Sequence, residues 1–294
     1  MGILESLWNI RQNLHMITSN KTRLSRTSIF LAYLKLILKS FLFVLILRIK
    51  LTKENLFGFK VRFFSYPALI MMFDEIFIKK EYYFNSEKKN PFVIDCGANI
   101  GLATLFFKKL YPQSRIIAFE ADVKAFELLK QNVENNRLKN VELHNKALYN
   151  KEGKIKFYYD PKNPSSLAMS TEKKRMDKAA AVVSSTTLSS HINEEVDFLK
   201  MDIEGAEGIV IEEMSSKNKL RLIKEMVIEY HHHIDKKKDN LSKILGILEK
   251  NNFGYHISST PNGITQKAKF QDILIYAYHK NRSQVSYSAL KGWV

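Results

Sequence analysis

The run Pro91-Phe92-Val93-Ile94-Asp95-Cys96-Gly97-Ala98-Asn99-Ile100-Gly101, with Glu120 downstream, constrains this chain more than any other stretch. It reads as a buried strand, a glycine turn and a helix start, followed by a second strand that ends in an acid. Glycine in such a turn lets backbone come close to a ligand, and the amides of the next helix then face it. An acid at the tip of the second strand is placed to accept both hydroxyls of a ribose. These parts describe a site for an adenosine-bearing cofactor.

Details of the turn narrow the choice. A dinucleotide fingerprint needs G-x-G-x-x-G around a pyrophosphate. The pattern here is Asp95-x-Gly97-x-Asn99-x-Gly101, and an acid just before the turn suits a cationic ligand and repels a diphosphate. No G-x-x-x-x-G-K-[ST] loop occurs. The spacing resembles motif I of the Rossmann-like methyltransferases, which bind S-adenosylmethionine.

From residue 91 onward, strand and helix signals alternate. Strands are predicted at Phe92–Asp95, Arg115–Phe119, Val141–Asn145, Val196–Met201, Glu225–Glu229, Tyr255–Ile257 and Gln271–Tyr278, with helices at Leu102–Leu110, Lys124–Asn136 and Leu241–Asn251. The expected fold is α/β, a doubly wound and mostly parallel sheet whose last strands form a hairpin with an antiparallel C-terminal strand. Ligands of such sheets bind beyond the carboxyl ends of the strands. The segment from Asp160 to Ser190 is rich in Ser, Lys and Thr and reads as a long loop crossing that pocket. Its Ser165-Ser166 pair is read mainly as ordinary loop composition.

Two further clusters fall at strand ends. Asp202, Glu204 and Glu207 surround Gly205 after one strand, and Glu229-Tyr230-His231-His232-His233 ends another. Carboxylates crowded beside an apolar strand must face solvent, a hydroxyl or a positive ligand. Asp202 and Glu204 share a side by strand alternation, whereas Glu207 opens the next helix and favours its dipole. His231 is the first choice for a general base because imidazole titrates near neutrality. Asp202 or Glu229 would orient it, or act as the base. No bound metal is expected, since His231 and His232 point to opposite faces and no H-E-x-x-H occurs.

The segments VIDCGANIGLATLFF, IIAFEAD, NKAL, VDFLKMDIEGAE and VIEYH, in this order, resemble the FkbM family of methyltransferases over about residues 56–280. The resemblance implies a class I, Rossmann-like enzyme using S-adenosylmethionine, mostly to methylate hydroxyls of sugars and other small molecules. By it, Asp95, Gly97 and Gly101 line the methionine side, with Ala98 and Asn99 in the same turn. Glu120 takes the ribose with Ala121 beside it, and Asn145 with Ala147 flanks the adenine. Asp202, Glu204, Glu229 and His231 face the transferring methyl.

The 294 residues carry a formal charge of +16. That suits an anionic membrane, nucleic acid or a phosphorylated carrier. A nucleic-acid partner is disfavoured, because neither an Asn-Pro-Pro-Tyr base-flipping motif nor an RNA-binding module is present. The competing functions are an RNA or protein methyltransferase and a non-catalytic membrane-associated scaffold. The expected partner is a small-molecule or glycan acceptor, and a homo-oligomer is allowed. Cys96 is the lone cysteine, so no intramolecular disulfide forms, which fits a reducing compartment, and a cytoplasmic setting is expected.

Four units are expected: a basic and apolar helical extension over 1–55, an aromatic-rich cap over 56–90, the cofactor-binding domain over 91–280, and a tail over 281–294. Ile29 to Leu47 is apolar apart from Lys35, Lys39 and Ser40. Two central lysines would cost about 2–3 kcal/mol each in a bilayer core. The expected arrangement over 28–49 is therefore a helix lying in an anionic membrane interface, at the inner face, with its lysines reaching up to phosphate.

Overall fold

A computed structural model describes residues 24–159, 179–232, 240–259 and 271–282. The central element is β3 (Phe92–Cys96), all five residues of which are buried. A strand apolar on both faces belongs inside a parallel sheet. Around it lie β4 (Arg115–Phe119), β5 (Val141–His144), β9 (Val196–Met201), β10 (Ile223–His232), β11 (Phe253–Ser259) and β12 (Gln271–His279). The order across the sheet is β11-β12-β10-β9-β3-β4-β5. β12 is inserted antiparallel between β10 and β11, and the β3, β4, β5, β9 and β10 pairings are parallel. This is the class I Rossmann-like order expected from the sequence, with the terminal hairpin as its antiparallel edge. The direction of winding switches between β3 and β9, which places a ligand crevice at their carboxyl ends.

Helices cover both faces. α3 (Leu102–Leu110) and α4 (Val123–Asn135) pack on one, and α5 (Glu207–Ser216) and α6 (Leu241–Lys250) on the other, each over its own apolar core. β6 (Ala147–Leu148), β7 (Gly153–Tyr159) and β8 (Ala179–Thr186) form a small side sheet. Of the expected loop over Asp160–Ser190, the part from Ala179 is thus largely strand. Ser165, Ser166 and His233 lie outside the described residues.

The first core also takes in the N-terminal elements. α1 (Arg26–Lys39) continues through wider turns to Ile46, and β1 (Lys53–Leu56) pairs with β2 (Phe59–Arg62). α2 (Tyr66–Phe73) runs on to Lys79. Aromatic rings knit this region to the sheet: Phe77 meets Phe106 edge-on at 5.3 Å, and Phe84 stacks on Phe198 at 4.5 Å. The exposed edge of β2 is capped by α4. Asn132 and Asn136, one turn apart, each give and accept a hydrogen bond with the backbone of Arg62 and Lys60 respectively. Side-chain amides here substitute for a neighbouring strand. The expected boundary at residue 55 falls inside β1, and the cap shares its core with the sheet domain.

The lysine stripe of α1 runs opposite to expectation. Lys35 and Lys39 pair with Glu54 of β1 at 3.2 and 2.9 Å, and Tyr66 donates to the same carboxylate at 2.8 Å. Burial works against the Glu54 charge, but Lys39, the Asn55 amide, Tyr66 and Lys35 outweigh it and lower its pKa to about 2. The lysines therefore point to the protein, because a buried carboxylate there needs cations.

Candidate active site

The turn after β3 is built from backbone. The amides of Gly97 and Ala98 both donate to the Phe119 carbonyl at 2.9 Å, stitching the turn to the end of β4. Gly97 has φ +79°, and a Cβ there would lie 1.7 Å from the carbonyl oxygen of Asp202. Gly101, at φ +85°, precedes α3 where a Cβ would meet Leu129 at 2.5 Å. Asn99 takes the left-handed region at φ 51°, which asparagine tolerates, and its side chain accepts from the Ile100 amide at 2.8 Å.

Glu120 stands at the tip of β4 as the sequence implies. One carboxylate oxygen accepts from the Asn99 amide at 2.7 Å and the other from Asp122 at 2.8 Å. Burial raises its pKa from 4.5 to about 7, against those two amide bonds. Beyond β5, the Asn145 amide donates to the carbonyls of Glu120 and Ala121 at 2.8 and 3.3 Å, which ties the two strand ends together. Asn145 and Ala121 are half-buried at this rim. Ala147, expected to flank the adenine with Asn145, is buried within β6, where it pairs with Ser185.

Asp95 lies deeper than expected. It has no exposed surface; Thr104 donates to it at 2.7 Å, and Lys200 lies 3.7 Å away. It supports the turn from beneath and does not line the methionine side. Lys200, which sequence reasoning passed over, is the keystone of this layer. Its ammonium lies 3.4 Å from Asp202 and donates to the carbonyls of Cys96 at 3.3 Å and Gly97 at 2.5 Å. Burial opposes its charge, yet Asp202 and Asp95 raise its pKa. Cys96 is wholly buried and its thiol is pushed up by burial and Asp95, so it is no nucleophile.

The second half of the site follows β9. The strand stops at Met201, and Glu204 (φ 61°) and Gly205 (φ 110°) turn the chain left-handed. Asp202 and Glu204 therefore meet through a turn, not through strand alternation. Glu207 is the residue that closes it. Buried to 1%, it accepts from the Gly205 amide at 3.0 Å and the Ile203 amide at 3.3 Å, and contacts His231 Nδ1 at 2.9 Å. A glutamate in a first helical turn reads as a dipole partner, which hid this role.

His231 lies in β10 with acids on both ring nitrogens. Besides Glu207 on Nδ1, Glu204 is 3.1 Å, Asp202 3.7 Å and Asp272 3.8 Å from Nε2. Burial disfavours the charged ring, but Glu207, Glu204 and Asp202 prevail and raise its pKa to about 10. Three carboxylates thus favour the protonated ring, which works against the general-base role expected of it. Glu229 is raised as well: burial and Asp202 push its pKa well above the carboxylate range, partly offset by His231.

The cap supplies what the sequence did not assign. Tyr82 donates to Glu229 at 3.0 Å, and its ring lies 5.2 Å beneath the Lys200 ammonium. Burial and Glu81 raise Glu75 to about 8; burial, with Asp74 and Asp202, raises Glu81 to about 7. Within a strongly cationic chain, this pocket concentrates acids. Asp202 and Glu204 keep 24% and 20% of their side chains exposed, so they can touch a ligand. Ligand atoms of Asp202, Glu229 and His231 lie within 4.8 Å of one another, a spacing that a divalent ion would accept. As an imidazolium, His231 has no lone pair to give, so an ion would first have to displace its proton.

Residues 95–257 match the family model described as the methyltransferase FkbM domain, more than half of the chain. Methyltransferase 1 of Beauveria bassiana (strain ARSEF 2860) is 30% identical over 176 residues, 53% of this chain and 70% of that protein. Methyltransferase sdnD of Sordaria araneosa is 28% identical over 190 residues, 54% of this chain and 73% of its own length. Among solved structures, methyltransferase FkbM from Methylobacillus flagellatus KT aligns at 16% identity with a TM-score of 0.44, over 70% of this chain. The aligned part is about half of that longer protein, 47% of it.

Proposed function

This chain belongs to the FkbM methyltransferase family and its methyl donor is S-adenosylmethionine; from that premise we propose that it methylates a hydroxyl of a sugar, glycan or other small molecule. When bound, the cofactor supplies a methyl already activated on a sulfonium. The residues present fit such a cation. Glu120 offers a carboxylate fixed by two amides, with lone pairs left for ribose hydroxyls, and Asp202 and Glu204 offer negative charge at the turn.

One arrangement supports the choice of acceptor: the Glu229 carboxylate, bonded by Tyr82 and within 4.8 Å of ring and carboxylate atoms of His231 and Asp202, with its pKa raised by burial. An alcohol is a poor acid, so its proton must be accepted during attack, and a carboxylate of raised pKa is suited to it. His231 holds its charge near that carboxylate and steadies it in the ionised form. Glu75, Glu81 and Asp272 supply further oxygens able to accept hydrogen bonds from a polyol. Together these groups bind, orient and deprotonate a hydroxyl.

The test is transfer of labelled methyl from S-adenosylmethionine to glycan, protein and RNA fractions, followed by alkaline hydrolysis. A methyl ether survives alkali and stays with the glycan or small-molecule fraction. Label released as methanol, or label lost to ribonuclease or protease, would overturn the reading.

Glu120 provides a separate check on the cofactor half. Glu120→Ala should weaken S-adenosylmethionine binding by about 1–3 kcal/mol, the scale of a lost charged hydrogen bond. The wild type should also show proton linkage. Because the ligand-free carboxyl titrates near 7 and ribose hydroxyls favour its ionised form, binding at slightly acidic pH should release protons and tighten as pH rises. Calorimetry in buffers of different ionisation heat measures this. An unchanged affinity in the variant would remove Glu120 from the ribose site.

A further inference from the structure

α1 is held to the protein by one side only. Ile29, Tyr33 and Leu36 are buried, and Lys35 and Lys39 are engaged by Glu54. On the other side large apolar residues stand open: Leu31 is 57% exposed, Leu38 58%, Phe41 55% and Leu45 68%. The exposed run continues through Ile46, Leu47 and Ile49. A continuous apolar face of this length on a soluble domain marks an interaction surface.

The charges around the face say what covers it. Arg26 is exposed at one end of the helix, and Arg48, Lys50 and Lys53 are exposed at the other. A cleft of about 530 Å³ opens beside Leu31 and is lined by Lys35, Lys109, Ser28 and Asn55. Cations flanking an apolar stripe suit phosphate headgroups above acyl chains. A second copy would instead bring one +16 chain against another and set their terminal cations close together. The segment Arg26–Ile46 is long and apolar enough to cross a membrane. Crossing, however, would strip Ile29, Tyr33 and Leu36 from the core and leave Glu54 without its lysines. We propose that α1 and its continuation to Ile49 seat the protein flat on an anionic phospholipid bilayer, with the cap above and the apolar face in the acyl boundary.

The full chain should sediment with vesicles of phosphatidylcholine containing about a third phosphatidylglycerol, and much less with phosphatidylcholine alone. Joint substitution Leu38→Glu and Leu45→Glu, at positions open to solvent, should lower the bound fraction about tenfold or more. Arg48→Glu with Lys50→Glu should abolish the preference for anionic vesicles. Melting temperature and S-adenosylmethionine affinity should stay at wild-type values in both variants, which keeps the lipid result separate from the methyl-transfer reading. Alkaline carbonate should release the bound wild type. The proposal is overturned if wild type ignores anionic vesicles, if the leucine variant still pellets, or if carbonate fails and detergent is required. A wild-type dimer that the leucine variant dissolves, with no lipid binding, would equally overturn it in favour of a second copy.

Discussion

Gly97→Ala should abolish the cooperative folding transition or lower its midpoint by the equivalent of at least about 3 kcal/mol. The added methyl would sit 1.7 Å from the Asp202 carbonyl oxygen and 2.8 Å from its carbonyl carbon. Neither atom can swing away, since both are backbone. The Asp202 amide is itself tied to the Cys96 carbonyl at 3.0 Å, so relief requires β3 and β9 to part. The φ of +79° adds a left-handed penalty that alanine feels and glycine does not. Parting those strands would also break the hold of Lys200 on Asp95 and Asp202. Gly246→Ala is the matched control. It lies in α6 with nothing within 4 Å of a Cβ, and should stabilise by up to about 1 kcal/mol. Urea titration of the two variants measures the contrast. A Gly97→Ala chain that melts like wild type would show that the turn is far looser than its geometry requires.

The parts of this site legible from sequence are those written locally. β3 and its turn are legible because an apolar run, an acid and two glycines fall within eleven residues. Glu120 is legible because strand length fixes where the next acid lands. The sheet order follows from alternation of strands and helices together with handedness. What stayed hidden depends on contacts between distant segments. Tyr82 reaches Glu229 across 147 positions, and Glu207 reaches His231 across 24. Lys200 looks like an isolated charge in an apolar strand until two acids close on it. The Lys35–Lys39 stripe shows the limit most clearly. Spacing establishes that one side of α1 differs from the rest, but only Glu54, on another element, decides that this side faces inward. The acids that favour a protonated His231 are hidden for the same reason, because a ring's titration is set by neighbours that the sequence does not bring together.

Glu229→Gln should lower kcat by about a hundredfold or more while leaving S-adenosylmethionine affinity within a few fold. Its amide keeps the shape of the side chain and can still meet the Tyr82 hydroxyl, so loss of turnover would report the missing proton acceptor. The pH profile separates this reading from a histidine base. Glu229 has a pKa raised well above the ordinary carboxylate, so activity should climb as pH rises through it. His231 loses its proton near 10, and with it the cation beside Glu229, so activity should fall there. A bell results, its acid limb removed in Glu229→Gln and its alkaline limb removed in His231→Gln. Folding obeys the same sign on the histidine side. A folded pKa of about 10 against an ordinary 6.5 gives stability that is complete below about 6.5 and is lost as pH rises toward 10. If imidazole were the base, turnover would instead keep rising to the His231 pKa and hold there, and Glu229→Gln would leave the acid limb in place. The two profiles cannot both be observed, so one pH series on three proteins decides which group takes the acceptor's proton.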